Sequence, residues 1–420
     1  MQIKIKVGIV MISILLLFNN ISGAQQLKNT SNMQEIKMEN VTMRYLAAWT
    51  ALAVYNDKLS LLARSILQEN GWQINTINEK LKKSDIKLLL AEKQVEGKTL
   101  YFLSISGTAT WKDIQTDLTM ESTTFNQKNK AFLVHKGFWQ YMQDGFFTEK
   151  KYDGKSLGEK LAERLQADKS QKIYITGHSL GGAVAELLAA KLSDIGVEKN
   201  QLEVITFGAP AVGNEAFVNE YEPKMNLTRI TMKGDPIKNL AQIANTKYVQ
   251  FATNMQWTLP QNENDKFAHG ILLYFDRAMR DYYDEVQFYH DENSIGNVNC
   301  IVSFGFDFPE ELKDEEKFIQ LALKDKLKHN EKNCLFIDEE NLQEGLKQVK
   351  TYQAKQIIVY QFSATKLREN TSNKRYYINE MKYIYDINGN LLNGFSASTD
   401  TNEMTVLQAV LYADSQIDKM

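Results

Sequence analysis

Ser179 stands at the centre of Gly177-His178-Ser179-Leu180-Gly181. The apolar, β-branched run Ile173-Tyr174-Ile175-Thr176 precedes it, and a small-residue apolar stretch to about Leu192 follows it. The order strand, G-x-S-x-G turn, helix is that of a nucleophile elbow. The turn is so tight that Gly177 and Gly181 must lack side chains, because a Cβ at either would strike the neighbouring strand or helix. The serine is then held at the apex in a strained conformation with its hydroxyl presented. The start of the helix offers free backbone N–H groups to any anion formed there. This arrangement points to nucleophilic acyl transfer.

A serine hydroxyl is a poor nucleophile near neutral pH, and it needs a base within hydrogen-bond reach and an acid to orient that base. On scaffolds built around such an elbow the chain order is serine, acid, histidine. Asp235 follows the expected strand Thr228 to Lys233, framed by Gly234 and Pro236, and is the expected acid. Asp265, in a polar loop, and Asp276, inside an expected helix, are weaker candidates. The chain has 5 histidines. His178 lies in the elbow and is expected to point away from Ser179. His135 precedes both nucleophile and acid, while His290 and His329 come beyond the closing helix. His269 follows the acid and starts a helix, so it is the expected base, with His290 as runner-up. The developing oxyanion needs donors. The N–H of Leu180 is one, and Thr108, at the end of the strand Thr99 to Ser106, supplies the other through its N–H, its hydroxyl or both.

The elements that must position these groups follow from periodicity. A long helix is expected over Asn40 to Asn70, then a hairpin of strands Ile86 to Gln94 and Thr99 to Ser106. Helices are expected from His135 or Gly137 to about Met142, and from Ser156 to Ala167. Strands Lys172 to Thr176, Glu203 to Phe207 and Thr228 to Lys233 alternate with helices, which implies parallel pairing and a sheet covered on both faces. Tyr248 to Thr253 reads as a further strand and Gly270 to Tyr283 as a closing helix. After about Asn293 the pattern changes to strands near 301–308, 335–338, 356–363, 375–387 and 391–396, three helices, and a hairpin turn at Asn388-Gly389.

A chain of 420 residues is long enough for two domains, and its 24% charged residues with a net charge of −3 give no sign of a nucleic-acid partner. Lys4, Lys6, the apolar run Val7 to Phe18 and Ser22-Gly23-Ala24 read as a signal peptide spanning 1–24, too short in its apolar part to span a bilayer. The expected domains are therefore 25–295 and 296–420, in a protein secreted or held in the cell envelope. Cys300 and Cys334 can bridge in an oxidising compartment, and the sequence leaves open whether they do. No motif calls for a cofactor or a metal.

Taken together the motifs resemble the class 3 lipase family of α/β-hydrolases over about residues 40 to 290. The elbow Gly177-His178-Ser179-Leu180-Gly181-Gly182-Ala183 carries the resemblance, with Phe207-Gly208-Ala209-Pro210 and Val212-Gly213-Asn214 after the next strand. Gly234-Asp235-Pro236-Ile237 resembles the acid segment, His269 with Tyr274 the base segment, and Val134-His135-Lys136-Gly137-Phe138 the motif before the elbow. Ser106-Gly107-Thr108, followed by Asp117-Leu118, resembles the oxyanion loop. Many members have arginine where this chain has Ser106, and the acid-to-base spacing is short. The resemblance implies an α/β-hydrolase with a mostly parallel central sheet covered by helices, to which a smaller C-terminal α/β domain of unnamed kind and partner is added. It also implies that Ala109 to Phe125 occupies the place of a lid; Trp111, Ile114, Leu118 and Met120 would give it an apolar side, and the alternative is that these residues simply pack on the core. The expected function is hydrolysis of carboxylic esters of lipids, as a triacylglycerol lipase or a phospholipase-like esterase, at a lipid–water interface if the lid is mobile. The contrasting expectation is a catalytically inactive hydrolase scaffold used for binding or surface interaction.

Overall fold

Ser179 follows the central strand of a seven-stranded sheet. The computed structural model describes residues 25–80, 85–95, 97–107, 121–126, 129–237, 247–252, 254–263, 267–286, 298–329, 334–337, 342–367 and 375–420. The expected signal peptide, Thr108, the expected lid up to Met120, Asp265 and His290 lie outside them. Among the described residues no helix is long and apolar enough to cross a membrane. Contacts divide the chain into two compact units. One is formed by 44–259 with 267–277, and the other by the described residues among 1–43, 260–266 and 278–420.

In chain order the first unit contributes β1 (Gln73–Lys80), β2 (Asp85–Val95), β3 (Lys98–Ile105), β4 (Ser122–Thr124), β5 (Leu133–His135) and β6 (Ile173–His178). It continues with β7 (Leu202–Phe207), β8 (Gly213–Asn214), β9 (Asn226–Met232), β10 (Tyr248–Val249) and β11 (Asn254–Trp257). The main sheet has the order β1-β2-β3-β6-β7-β9-β11. Strands β3, β6, β7, β9 and β11 pair in parallel, and β1 and β2 add an antiparallel edge. All six residues of β6 are buried, which explains a run of continuous rather than alternating apolar residues in the sequence. A second sheet, β10-β8-β5-β4, is built from very short antiparallel strands.

Three expectations are corrected. The helix expected over Asn40 to Asn70 is two helices, Gln25–Ala53 and Lys58–Glu69. Asp57 ends the continuity: its Oδ1 accepts the N–H groups of Leu59 and Ser60, each at 3.0 Å, and so caps the second helix. Arg64 fastens the break by donating to the carbonyl oxygens of Ala53 and Tyr55. The strand expected over Tyr248 to Thr253 stops at Val249, and the strand that extends the main sheet is β11, pairing in register with Arg229 to Met232. Strand β1 carries Asn75, Asn78 and Glu79 among its residues, and their polarity hid it.

The second unit holds β12 (Cys300–Asp307), β13 (Cys334–Ile337), β14 (Gln356–Lys366), β15 (Tyr376–Tyr385) and β16 (Leu391–Asp400) in the order β13-β12-β14-β15-β16. Strand β12 is parallel to both its neighbours, whereas β14, β15 and β16 form an antiparallel meander. Gly389, at φ 86°, makes the turn between β15 and β16 in the left-handed region that glycine favours. Cys300 and Cys334 are direct neighbours across β12 and β13, with Cα atoms 4.6 Å apart, and form a disulfide.

A charged cluster is buried against the meander. Lys326 pairs with Asp414 and with Asp418 (2.5 Å), and Lys382 pairs with Asp418 at 3.3 Å. Both carboxyl oxygens of Glu380 and Oδ1 of Asp414 are buried without a donor among the described residues. Burial, then the facing Asp414 carboxyl, holds the Glu380 carboxyl well above its ordinary range. A proton held there gives the two acids a donor between them, which removes the deficit. The folded form thus binds a proton that the unfolded chain releases, so this contribution is complete below the ordinary glutamate range and is lost as pH rises above it. Glu380→Gln should flatten the decline in stability from pH 4 to pH 8, as followed by urea denaturation of the full chain.

Candidate active site

Ser179 is the N-cap of the helix Leu180–Asp194 and has φ 56° and ψ −124°, outside the regions open to most side chains. A Cβ on Gly177 would lie 2.4 Å from the Gly181 carbonyl carbon, and one on Gly181 would lie 2.1 Å from the Ile105 carbonyl oxygen. Both glycines are therefore dictated by backbone proximity. The Ser179 N–H donates to the Phe207 carbonyl (2.9 Å), and the Ser179 carbonyl accepts from Ala183 (3.1 Å). Leu180 is the first residue of the helix, so its N–H has no intrahelical acceptor.

Asp235 follows β9 after Lys233 and Gly234, and His269 precedes the helix Ile271–Val286. The structure brings the two together. His269 Nδ1 lies 2.9 Å from Asp235 Oδ2 and 3.1 Å from Oδ1, in a pair almost fully removed from solvent. A carboxylate only accepts, so Nδ1 carries the proton and Nε2 presents its lone pair. Two more donors complete the acid: Tyr274 O–H at 2.6 Å on Oδ2 and the Ile237 N–H at 2.8 Å on Oδ1. Burial would raise the Asp235 carboxyl, but His269, Tyr274 and the Ile237 N–H overcome it and hold the group below its ordinary range. The Tyr274 phenol, which also accepts the Met232 N–H at 2.8 Å, is driven well above its ordinary range by burial and by Asp235.

Ser179 Oγ and His269 Nε2 are both buried, and each lacks a hydrogen-bond partner among the described residues. Two links hold their segments together. Gly208, next after the carbonyl that binds Ser179, has φ 60°, and a Cβ there would come within 3.1 Å of Asp235, Tyr274 and His269 together. His178, next before Ser179, donates from Nε2 to the His269 carbonyl oxygen at 2.6 Å, and its ring lies 4.6 Å from that of His269. Burial and the neighbouring His269 ring depress His178 to about 3, so it stays neutral.

The other candidates are elsewhere. His135 is buried as the N-cap of the helix Lys136–Gln143, its Nδ1 accepting from Phe138 N–H at 3.4 Å. Asp276 is buried within the helix Ile271–Val286, and His329 ends the helix Lys313–His329. Among the described residues no group of three or more acidic, histidine or cysteine side chains is disposed to hold a metal ion. Sequence reasoning placed Tyr274 beside the base only by resemblance and missed its grip on Asp235. No local signal marks that contact, because the hydroxyl's partners Met232 and Asp235 lie about 40 residues away in the chain. It also missed Tyr55, whose hydroxyl accepts the Gly107 N–H at 2.9 Å.

A nucleophile elbow at the carboxyl edge of a mostly parallel, helix-packed sheet defines this unit as an α/β-hydrolase. Residues 102–244 match the family described as Lipase (class 3). The chain is 32% identical over 108 residues to Lipase ZK262.3 of Caenorhabditis elegans, a match covering 25% of this chain and 26% of that one. It is 38% identical over 78 residues to secreted mono- and diacylglycerol lipase 1 of Fusarium solani, covering 18% and 22%. The chain thus spans about a quarter of the length of these curated relatives. The solved triacylglyceride lipase of Rhizomucor miehei aligns at 19% identity with a TM-score of 0.41, covering 58% of this chain and 84% of that one.

Tyr274→Phe should destabilise the protein by about 1–3 kcal/mol in urea denaturation, because the Met232 N–H loses its acceptor and Asp235 Oδ2 loses one of its two donors. Asp235 contributes stability above the ordinary aspartate range that is lost as pH falls through its depressed value. In Tyr274→Phe that acid loss should be smaller and complete at a higher pH, as followed by urea denaturation across the acid range.

Proposed function

We propose that this protein is an exported serine hydrolase that cleaves carboxylic esters of lipids through an acyl-serine intermediate. Ser179 is the nucleophile, His269 the base and Asp235 the group that orients the imidazole and stabilises its charged form. The observation that supports this most is the directed pair at His269. Nδ1 is committed to a buried carboxylate, while Nε2 and Ser179 Oγ, both buried, have no partner among the described residues. Catalytic hydrogen bonds are often formed only in the substrate complex, so an open Ser179–His269 contact suits a resting enzyme.

In this reading Ser179 Oγ attacks the ester carbonyl carbon as His269 Nε2 takes the hydroxyl proton. The tetrahedral oxyanion is met by the Leu180 N–H, with Thr108 as the second donor. Collapse expels the alcohol, which receives the proton from His269. Water, deprotonated by the same nitrogen, then releases the acid and restores Ser179. The substrate class follows the relatives, which include a mono- and diacylglycerol lipase and the chloroplastic phospholipase A(1) DAD1 of Arabidopsis thaliana, 33% identical over 94 residues. Export follows from Lys4, Lys6 and the apolar run Val7 to Phe18.

Ser179→Ala should lower p-nitrophenyl ester turnover by roughly a million-fold, since members of such a triad act as a unit. It should also abolish labelling by a fluorophosphonate probe. A wild-type protein that neither turns over esters nor takes the probe would favour the inactive binding scaffold instead.

A further inference from the structure

Gly107 is the residue whose surroundings the proposed triad does not explain. A Cβ there would lie 2.4 Å from the His178 carbonyl oxygen, 3.1 Å from the Tyr55 hydroxyl and 3.4 Å from Ser179 Cβ. The absent side chain lets the Gly107 backbone pack against the His178 carbonyl, with Ser179 on one side of it and the Tyr55 phenol on another. Tyr55 comes from the break between the helices Gln25–Ala53 and Lys58–Glu69, far away in the chain. The Gly107 N–H donates to its hydroxyl oxygen at 2.9 Å. Among the described residues that is the hydroxyl's only hydrogen bond, and none of them accepts its own proton. Burial raises the phenol above the ordinary tyrosine range, which keeps the proton in place. Arg64, by donating to the Tyr55 carbonyl and to Asn56 Oδ1 (2.9 Å), fixes the backbone that carries the ring.

We propose that Tyr55 is a further catalytic residue: its hydroxyl donates a hydrogen bond to the oxyanion that forms on the carbonyl carbon attacked by Ser179. The inference rests on the proposed role of Ser179. The Gly107 N–H polarises the phenol by donating into its oxygen, which makes its proton a better donor at the moment negative charge develops. No proton leaves Tyr55 during the reaction. It adds a side-chain donor to the Leu180 N–H, one that comes from outside the strand-end loop.

Tyr55→Phe should lower kcat for a p-nitrophenyl ester by about 10- to 100-fold, the scale of losing an oxyanion donor. KM should stay within about twofold, because the donor matters most in the transition state. The second variant carries 3,5-difluorotyrosine at position 55, which is nearly isosteric but more acidic. Its kcat should fall on the alkaline side at a pH where the wild type is still fully active, because a phenolate cannot donate. A tyrosine that only propped Gly107 would behave in the opposite way, since a phenolate accepts the N–H better still. The proposal is overturned if Tyr55→Phe keeps its kcat, or if the fluorinated protein shows no alkaline fall. A wild type inert to esters and to the fluorophosphonate probe removes the role of Ser179 and this inference with it. An active wild type with an unaffected Tyr55→Phe removes this inference alone.

Discussion

The close approach of three backbones at the elbow is the constraint on which the first unit depends. Strand β6, the end of β3 and the helix Leu180–Asp194 meet where Gly177 and Gly181 leave no room for a Cβ. Ser179 is forced to φ 56° there, a conformation that costs on the order of 1–3 kcal/mol for a non-glycine residue. The surroundings hold it: the Phe207 carbonyl takes the Ser179 N–H, and Ala183, Val184, Leu187 and Leu188 of the following helix are fully buried against the sheet. The strain has a direct chemical consequence. It aims the serine side chain away from the strand and leaves the first N–H groups of the helix unpaired beside it.

Three buried carboxyls in this protein show that donors, not burial alone, decide charge. Asp235 receives an imidazole N–H, a phenol O–H and a backbone N–H, and stays below its ordinary range. Glu186, on the elbow helix, has among the described residues Thr206 at 3.2 Å and Arg229 at 3.9 Å, and burial outweighs them to bring it to about 7. Glu380 has no donor among the described residues and faces another acid, so its carboxyl is driven well above the ordinary range. Desolvation opposes ionisation in all three, and the number and geometry of N–H and O–H groups set the outcome. Only the first of them is suited to orient a base as an anion.

What was legible in the sequence is what backbone geometry restricts. The elbow needs glycine at 177 and 181 whatever surrounds it, so the motif could be read from residue types. Strand β6 and the strands beside it are buried on both faces, so their composition announces them. Asp235 and His269 came from chain order and from their places beside a strand and a helix, with His290 the runner-up among 5 histidines, and the structure does join them. Other features depend on contacts between residues distant in the chain. Nothing local distinguishes Tyr274 from a core tyrosine until its hydroxyl is seen between Met232 and Asp235. Tyr55 looked like one more residue of a helix because the break there is set by Asp57 and Arg64, not by glycine or proline. Strand β11 is too short and polar to read from alternation alone.

Two imidazoles stand side by side at this site, and the structure separates their roles by what each nitrogen can do. His178 spends its Nε2 proton on the His269 carbonyl and stays neutral because burial and the adjacent ring oppose its charging. His269 has its Nδ1 proton directed to Asp235 and its other nitrogen without a partner among the described residues. If both rings were charged, their repulsion at 4.6 Å would be about 4 kcal/mol at an effective dielectric of 20. Keeping His178 neutral removes that opposition to a positive charge on His269. The hydrogen bond from His178 also ties the backbone of His269 to the residue next to Ser179. The same ring therefore adds no charge beside His269 and restricts where His269 can move, and both effects follow from burying it uncharged.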